Sequence, residues 1–168
     1  MSIRKARESG FTIVELLIVI VVIGILAALV IVTFSGIQQK ARDTKRQTDI
    51  KAIHGHLESY YAQNGSGYPI LADINDPGAA NDPSWRSINF KGLDEAALCD
   101  PSADSQTGCA LVAAPAAGSY AYQTWDTDGS TACTGTAGNN DTCAKYTLTA
   151  TLEGTISGED TYVKNSLN

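Results

Sequence analysis

Glu15 is the only charged residue in an apolar run that extends from Phe11 to Phe34. Between Leu16 and Val32 no side chain is charged or hydrogen-bonding, and Gly24 is the only residue there without an apolar side chain. Wound as a helix, the run spans about 36 Å at roughly 1.5 Å per residue, enough to cross a bilayer. A lone carboxylate near the end of such a helix costs about 2–3 kcal/mol in hydrocarbon unless a cation meets it. The pattern predicts a lipid-like setting for the helix and a positive partner for Glu15.

The residues before the run sharpen this reading. Met1 to Gly10 is short and polar, with Arg4, Lys5 and Arg7 against Glu8. A secretory signal places its apolar core first and a small-residue cleavage site after it. Here the order is inverted: the small residue, Gly10, precedes the apolar run, and no Ala-x-Ala site follows before the charged region. A cut after Gly10 leaves the apolar segment on the mature chain with Phe11 first. The new α-amino group would then come within reach of the Glu15 carboxylate on a neighbouring copy.

The basic leader, the stretch Gly10-Phe11-Thr12-Ile13-Val14-Glu15, the apolar helix and its continuation Ile23-Gly24-Ile25-Leu26-Ala27-Ala28-Leu29 occur together. In this the chain resembles the type IV prepilins and type II secretion pseudopilins, with their class III signal. The resemblance is close over roughly the first 35 residues and loose in layout beyond them. It implies a prepilin peptidase that cuts between Gly10 and Phe11 and methylates the Phe11 amine. It also implies that Glu15 pairs with the N-terminus of an adjacent subunit during filament assembly. One departure stands out: many relatives carry a Pro near the end of the apolar segment, where this chain has Val32. Gly24 is present, so one of the two residues between which the family's helix often loosens is missing.

Charge divides the rest of the chain. Without Arg4, Lys5, Arg7 and Glu8, 9 Lys and Arg face 17 Asp and Glu, a side-chain charge of −8. Lys40, Arg42, Lys45, Arg46 and Lys51 against Asp43 and Asp49 give +3 just after the apolar run, whereas Ala52 onward carries −10. An acidic head argues against general nucleic-acid binding, and no specific nucleic acid is expected. The basic cluster has two readings: contact with lipid headgroups or DNA, or a solvated helix face. The favoured one is the solvated face, with Lys45 and Asp49 spaced i,i+4 and Asp43 and Arg46 spaced i,i+3. The positive-inside count alone does not place the leader in the cytoplasm, because the basic residues are more numerous on the far side. Orientation rests instead on the cysteines and the family resemblance.

Cys99, Cys109, Cys133 and Cys143 all lie in the polar C-terminal half, as two Cys-x9-Cys loops. An even count in an exported domain reads as disulfides, with three connectivities open. Short loops close easily, which favours Cys99–Cys109 and Cys133–Cys143, each adding about 2–3 kcal/mol. Zinc is the alternative, but no Cys-x2-Cys pair exists and both His are distant in sequence.

Coarse patterning predicts an α+β, type IV pilin-like fold. The leader covers 1–10, and one long helix covers about 11–63. The membrane or filament-core half of that helix is 11–34 and its amphipathic half is 35–63. Ile37, Ala41, Ile50, Ile53, Leu57, Tyr60 and Tyr61 fall largely on 3–4 spacing, and Asn64-Gly65 stops the helix. The head, 64–168, divides into a connecting loop (64–118) and a β region (119–168). All five prolines lie in the loop, with short elements expected around Leu93–Leu98 and Ala110–Ala114, and with Trp85 and Phe90 pinning it. Strands are expected at Ser119–Trp125, at Lys145–Glu153 and at Tyr162–Val163. Three or four antiparallel strands would pack on the helix's C-terminal half.

No phosphate loop, nucleophile elbow or His-based triad occurs, so no enzyme is expected. His54 and His56 are two apart and point in different directions on a helix. Asp126 and Asp128 sit in Asp-x-Asp-Gly, two hard ligands beside a turn as calcium loops have them, although an Asp-rich turn is the default. Asn140 and Asp141 would complete that site if the Cys133–Cys143 loop folds back. Calcium in a late loop is common in major pseudopilins. Asn64-Gly65-Ser66 and Asn140-Asp141-Thr142 are formal sequons with no expected use.

The expected function is structural: a subunit polymerised into a type IV pilus, serving adhesion, motility or DNA uptake. The alternatives are a major pseudopilin of a type II secretion system and a membrane-anchored adhesin head that does not polymerise. The resemblance implies as partners further copies of the chain in a helical filament, the prepilin peptidase, an inner-membrane assembly platform and membrane lipid. It implies a single-pass location in the cytoplasmic membrane before assembly and an extracellular filament afterwards.

Overall fold

A computed structural model describes residues 10–65, 67–76, 84–103, 109–135 and 142–168. Expectations for leader residues 1–9, Ser66, Pro77, Pro83, Asn140 and Asp141 fall outside the described residues. The elements in chain order are helix α1 (Ile13–Asn64), strand β1 (Tyr68–Pro69), helices α2 (Leu71–Ile74) and α3 (Trp85–Asn89), and a 3-10 turn (Glu95–Leu98). Strands β2 (Tyr120–Trp125), β3 (Thr142–Cys143), β4 (Lys145–Ile156) and β5 (Glu159–Asn165) follow.

Helix α1 ends where the chemistry of its last residues ends it. Gly65 takes a left-handed φ of 63° and its N–H donates to the Tyr61 carbonyl at 2.8 Å, closing the last turn. The chain divides into two compact units with the boundary after Gln38. In the first unit every apolar side chain described from Phe11 to Ile31 is exposed.

The second unit, Gln39–Asn168, has an ordinary core. Ile50, Ile53, Leu57 and Tyr60 form the buried stripe of α1, at 3–4 spacing. They cluster with Tyr120, Tyr122, Tyr146, Leu148 and Ala150 from the sheet. Ile37 and Ala41, which share the predicted spacing, are exposed. The stripe becomes a core only from Ile50 onward.

The main sheet is antiparallel with strand order β2-β4-β5. Tyr122 faces Leu148 and Tyr120 faces Ala150 across the central pair. Buried Tyr146, Leu148, Ala150 and Leu152 alternate along β4 as the sequence pattern requires. The strand runs on to Ile156, and β5 covers Glu159–Asn165 rather than Tyr162–Val163 alone. Ser157 (φ 56°) and Gly158 (φ 90°) are both left-handed, the backbone that joins two strands in a tight hairpin.

A second, two-stranded sheet pairs β1 with β3, Tyr68 opposite Cys143. Gly67 makes that approach possible. Its φ is 133°, and a Cβ there would sit 2.7 Å from the Cys143 carbonyl oxygen. The loop is less irregular than its prolines suggest, with α2, α3 and the 3-10 turn in it. Near Ala110–Ala114 there is a single bridge, Val112 to Ala121. Trp85 and Phe90 do pin it: Trp85 lies 5.1 Å from the Tyr60 ring and 5.2 Å from the Phe90 ring, centroid to centroid.

Candidate functional site

Two charged groupings stand out among the described residues. The first is the start of α1. Thr12 precedes the helix, and its Oγ1 accepts the Glu15 backbone N–H at 3.2 Å. Glu15 returns the bond: its Oε2 accepts the Thr12 backbone N–H at 2.9 Å and the Thr12 hydroxyl at 2.8 Å. This is a capping box, in which residues three apart satisfy each other's orphan N–H groups. It also places a negative charge at the positive end of the helix dipole. Gly10 and Phe11 precede the cap and are exposed, Phe11 at 90%. The Thr-x-x-Glu spacing was visible in the sequence, and the cap is the role for Thr12 that pattern reading missed.

The second place lies at the start of the second unit. Arg46 is 1% exposed, Asp43 6%, Asp49 3% and Asp100 2%. The guanidinium grips Asp100 through Nε and Nη2, at 2.7 and 2.8 Å, in the planar two-point geometry that arginine offers a carboxylate. Nη1 donates to Asp43 at 2.7 Å, and Nη2 also reaches Ser102 and Glu153, at 3.0 and 2.9 Å. Arg42 donates to both oxygens of Glu153 and shares Oε1 with Arg46. Asp43 in turn accepts the backbone N–H groups of Glu153 and Gly154, each at 3.0 Å. A single buried cation thereby ties α1, the loop at Asp100 and strand β4 into one body.

The expected solvated face is corrected here. The i,i+3 pair Asp43–Arg46 and the i,i+4 pair Lys45–Asp49 both exist. Only Lys45 faces water, while Asp49 is buried and accepts the Tyr120 hydroxyl at 2.9 Å. Helical spacing identified the local pairs correctly. It could not identify Asp100, 54 residues away, which is what takes the cluster out of solvent.

The electrostatics follow from this geometry. The hydrogen bonds that Arg46 donates to Asp100, above all, raise the Arg46 pKa further above its already high value. Burial pushes the Asp100 carboxyl up, but the Arg46 and Ser102 hydrogen bonds outweigh it and the net shift is down. The Arg42 hydrogen bond brings Glu153 down to about 2. Asp49 goes the other way, raised by burial despite Lys45 and Tyr120.

Cys99 is bonded to Cys109 with Cα atoms 5.1 Å apart, and Cys133 to Cys143 at 5.8 Å. The first bridge anchors the segment that carries Asp100, and the second anchors β3. Asp126 and Asp128 form a turn that satisfies itself. Asp128 accepts the Ser130 and Thr131 backbone N–H groups and the Thr131 hydroxyl, and the Gly129 N–H donates to the Asp126 carbonyl. Among the described residues no three His, Cys, Asp or Glu are grouped to hold a metal ion, and Asn140 and Asp141, which would complete a site with these two aspartates, lie outside those residues. His54 sits at the helix–sheet boundary, its Nδ1 2.6 Å from the Tyr146 hydroxyl. That hydroxyl donates to Glu58 at 2.8 Å, so Nδ1 carries the hydrogen in the first contact. His56 lies apart, beside Phe90.

A family model described as the prokaryotic N-terminal methylation motif matches residues 5–31. The type II secretion system core protein G of Aeromonas hydrophila is 40% identical over 93 residues, 52% of this chain and 64% of the relative. Its counterpart in Klebsiella pneumoniae is 41% identical over 86 residues, 46% of this chain and 61% of the relative. The type IV major pilin protein PilA of Myxococcus xanthus is 37% identical over 57 residues, 34% of this chain and 26% of the relative. The chain thus spans 64% or less of the length of these relatives. No solved structure matches it significantly. Motif, relatives and a long apolar helix followed by an antiparallel sheet agree: over about half its length the chain is similar to type II secretion core protein G, and over a shorter stretch to a type IV major pilin.

Proposed function

We propose that this chain is a structural filament subunit of the type IV pilus kind. A peptidase cuts between Gly10 and Phe11 and methylates the new amine. The apolar half of α1 then holds the subunit in the cytoplasmic membrane. Assembly exchanges lipid for the same helix on neighbouring copies, delivering the heads to an extracellular filament used in adhesion, motility or DNA uptake. The observation that carries this reading is the first unit itself. Its described apolar side chains are exposed along the helix, and Glu15, the one carboxylate among its described residues, is preorganised at the end where cleavage would create a cation.

Glu15 does two jobs in this account. In the bilayer the Thr12 hydrogen bonds satisfy the carboxylate from within its own chain, which lowers the cost of storing it in lipid. In the filament, the Phe11 amine of a neighbour offsets its charge. A buried ion pair of this kind fixes register more than it adds net stability. Glu15→Ala is expected to leave cleavage intact while filament yield collapses, read by mass spectrometry of the membrane fraction and by the amount of sheared material. Normal yield from that variant would remove the assembly role. Substitution of Gly10 by a bulky residue is expected to leave the leader attached, and a mature mass unchanged from the native one contradicts that.

A second reading, a major pseudopilin of a type II secretion system, has its own support. The protein G matches extend over 93 and 86 residues, against 57 for the pilin. It differs in where the processed chain accumulates: confinement to the membrane in native cells favours the pseudopilin, and abundance in sheared appendages favours the pilus.

A further inference from the structure

The two disulfides sit in different surroundings. Cys143 belongs to β3, whose backbone pairs with β1, so its bridge closes on a segment that a sheet already holds. Cys99 belongs to no strand. It follows the 3-10 turn, and the next residue is Asp100, which grips the buried Arg46.

Beyond Asp100 the chain folds back on itself. The Asp100 Oδ1 accepts the Ser102 N–H at 2.8 Å and the Ser102 hydroxyl at 2.6 Å, and its carbonyl accepts the Ala103 N–H at 3.0 Å. These are the short-range bonds of an Asx-turn: they shape the segment without attaching it to the head. Among the described residues, the hydrogen bonds from Asp100 and Ser102 to other elements all end on the Arg46 guanidinium. On the other side the segment is held by Leu98, which is buried in the core. Next to the carboxylate, therefore, the covalent restraint is Cys99–Cys109 and the noncovalent one is Arg46. Two restraints that favour the same placement of one segment strengthen each other, by the same factor in both directions. With Cys99 and Cys109 as thiols, seating Asp100 costs more chain entropy.

We propose that Cys99–Cys109 is a redox latch that seats Asp100 on Arg46. Oxidation takes two electrons and two protons from the paired thiols and passes them to a disulfide such as oxidised glutathione, which leaves as two thiols. The segment is then fixed on α1 and the Arg46 charge is met. In reduction, a thiolate attacks half-buried Cys109 rather than buried Cys99, and Cys99 leaves as a thiolate. A second reductant thiolate then frees Cys109 as the reductant's own disulfide forms. Asp100 is released, and Arg46 joins Arg42 and Lys45 as a basic face of α1. A head kept in a reducing compartment thus keeps its charge network open. The latch does not depend on the filament reading.

The test equilibrates the full chain, in detergent micelles, with mixtures of reduced and oxidised glutathione. Acid quenching, alkylation and peptide mass spectrometry then read the reduced fraction of each cysteine pair. Arg46→Lys keeps the charge but loses the two-point grip on Asp100. It is expected to lower the glutathione equilibrium constant of Cys99–Cys109 about tenfold, the weight of one hydrogen bond to a charged group. The constant for Cys133–Cys143 should stay within about twofold, as for a site that shares no partner. Asp100→Asn, which keeps the shape and drops the charge, should give the same selective fall. Reciprocally, Cys99→Ser with Cys109→Ser should speed solvent exchange of the Arg46 Nε–H about tenfold by NMR, in a head that tryptophan fluorescence reads as folded. An equal fall at both cysteine pairs means only a weaker head and overturns the latch, as does no fall at Cys99–Cys109. Unchanged Arg46 Nε–H exchange in the double-serine chain overturns it too, as does global unfolding of that chain's head, since a latch releases one segment only.

Discussion

The two ends of helix α1 obey opposite rules. Along the helix up to Gln38, described apolar side chains face outward and its single carboxylate, Glu15, is satisfied by the residue that caps the helix. From Asp43 to Asp49 the arrangement inverts, and charged side chains are buried while Lys45 alone reaches water. Each half is unstable by the standards of the other. The first needs an apolar solvent, and lipid or identical helices provide one. The second needs every buried charge to be met, and Arg46 meets three carboxylates, Asp43 on α1 itself and Asp100 and Glu153 from two parts of the head. The lesson is that helical periodicity reports which face is chemically distinct but does not report which face is inside.

The largest expected effect breaks the inverted half. Arg46→Ala strands Asp43 and Asp100 without their cation, and removing one partner from a buried ionic group costs about 3–5 kcal/mol. Both tryptophans, Trp85 and Trp125, lie in the head, so their fluorescence in denaturant reads its unfolding alone. A loss below about 1 kcal/mol would show that the network is solvated after all.

Acid sharpens the same point. Glu153 in the folded chain titrates at about 2 against an ordinary 4.5, and Asp100 is also lowered. Between those two pH values the unfolded chain binds more protons, so stability falls as pH falls through the window. Asp49, raised by burial, works in the opposite sense and is relieved as it protonates. The denaturant midpoint is therefore expected to drop from about pH 4.5 to pH 2, and Glu153→Gln should flatten that limb. An unchanged slope in the variant contradicts the ion pairs described here.

A smaller effect belongs to the other half. Thr12→Ala removes the cap and frays the first turn by about 1 kcal/mol. Amide exchange at Glu15 in micelles should rise about fivefold, with no change in the tryptophan transition. Lys45→Ala should be smaller still, within about 1 kcal/mol, because its ammonium is half exposed.

How much of this could be read from the residues depended on sequence distance. The helix from Ile13 to Asn64 was legible because its apolar run, its stripe and Asn64-Gly65 are all local signals. Strand β4 was legible from the alternation of Tyr146, Leu148, Ala150 and Leu152. Strand β5 was only glimpsed, since most of its side chains are exposed and charged or polar and carry no such pattern. Ser157-Gly158 was the overlooked hint that Ile156 and Glu159 pair across a hairpin. At the N-terminus, Gly10, Phe11 and Glu15 stood out through residue type, order and apolar context, and their processing and pairing came from the family resemblance. The burial of Arg46 was not legible, because its chief partner, Asp100, comes from a loop whose path no local rule dictates.

The central claim is that the apolar half of α1 is processed and then covered by copies of itself. The most direct measurement is the intact mass and first residue of the chain in appendages sheared from native cells, compared with the membrane fraction. Abundant sheared protein beginning at N-methylated Phe11 is the expected result. A chain that keeps its leader, or that never leaves the membrane as polymer, would contradict it.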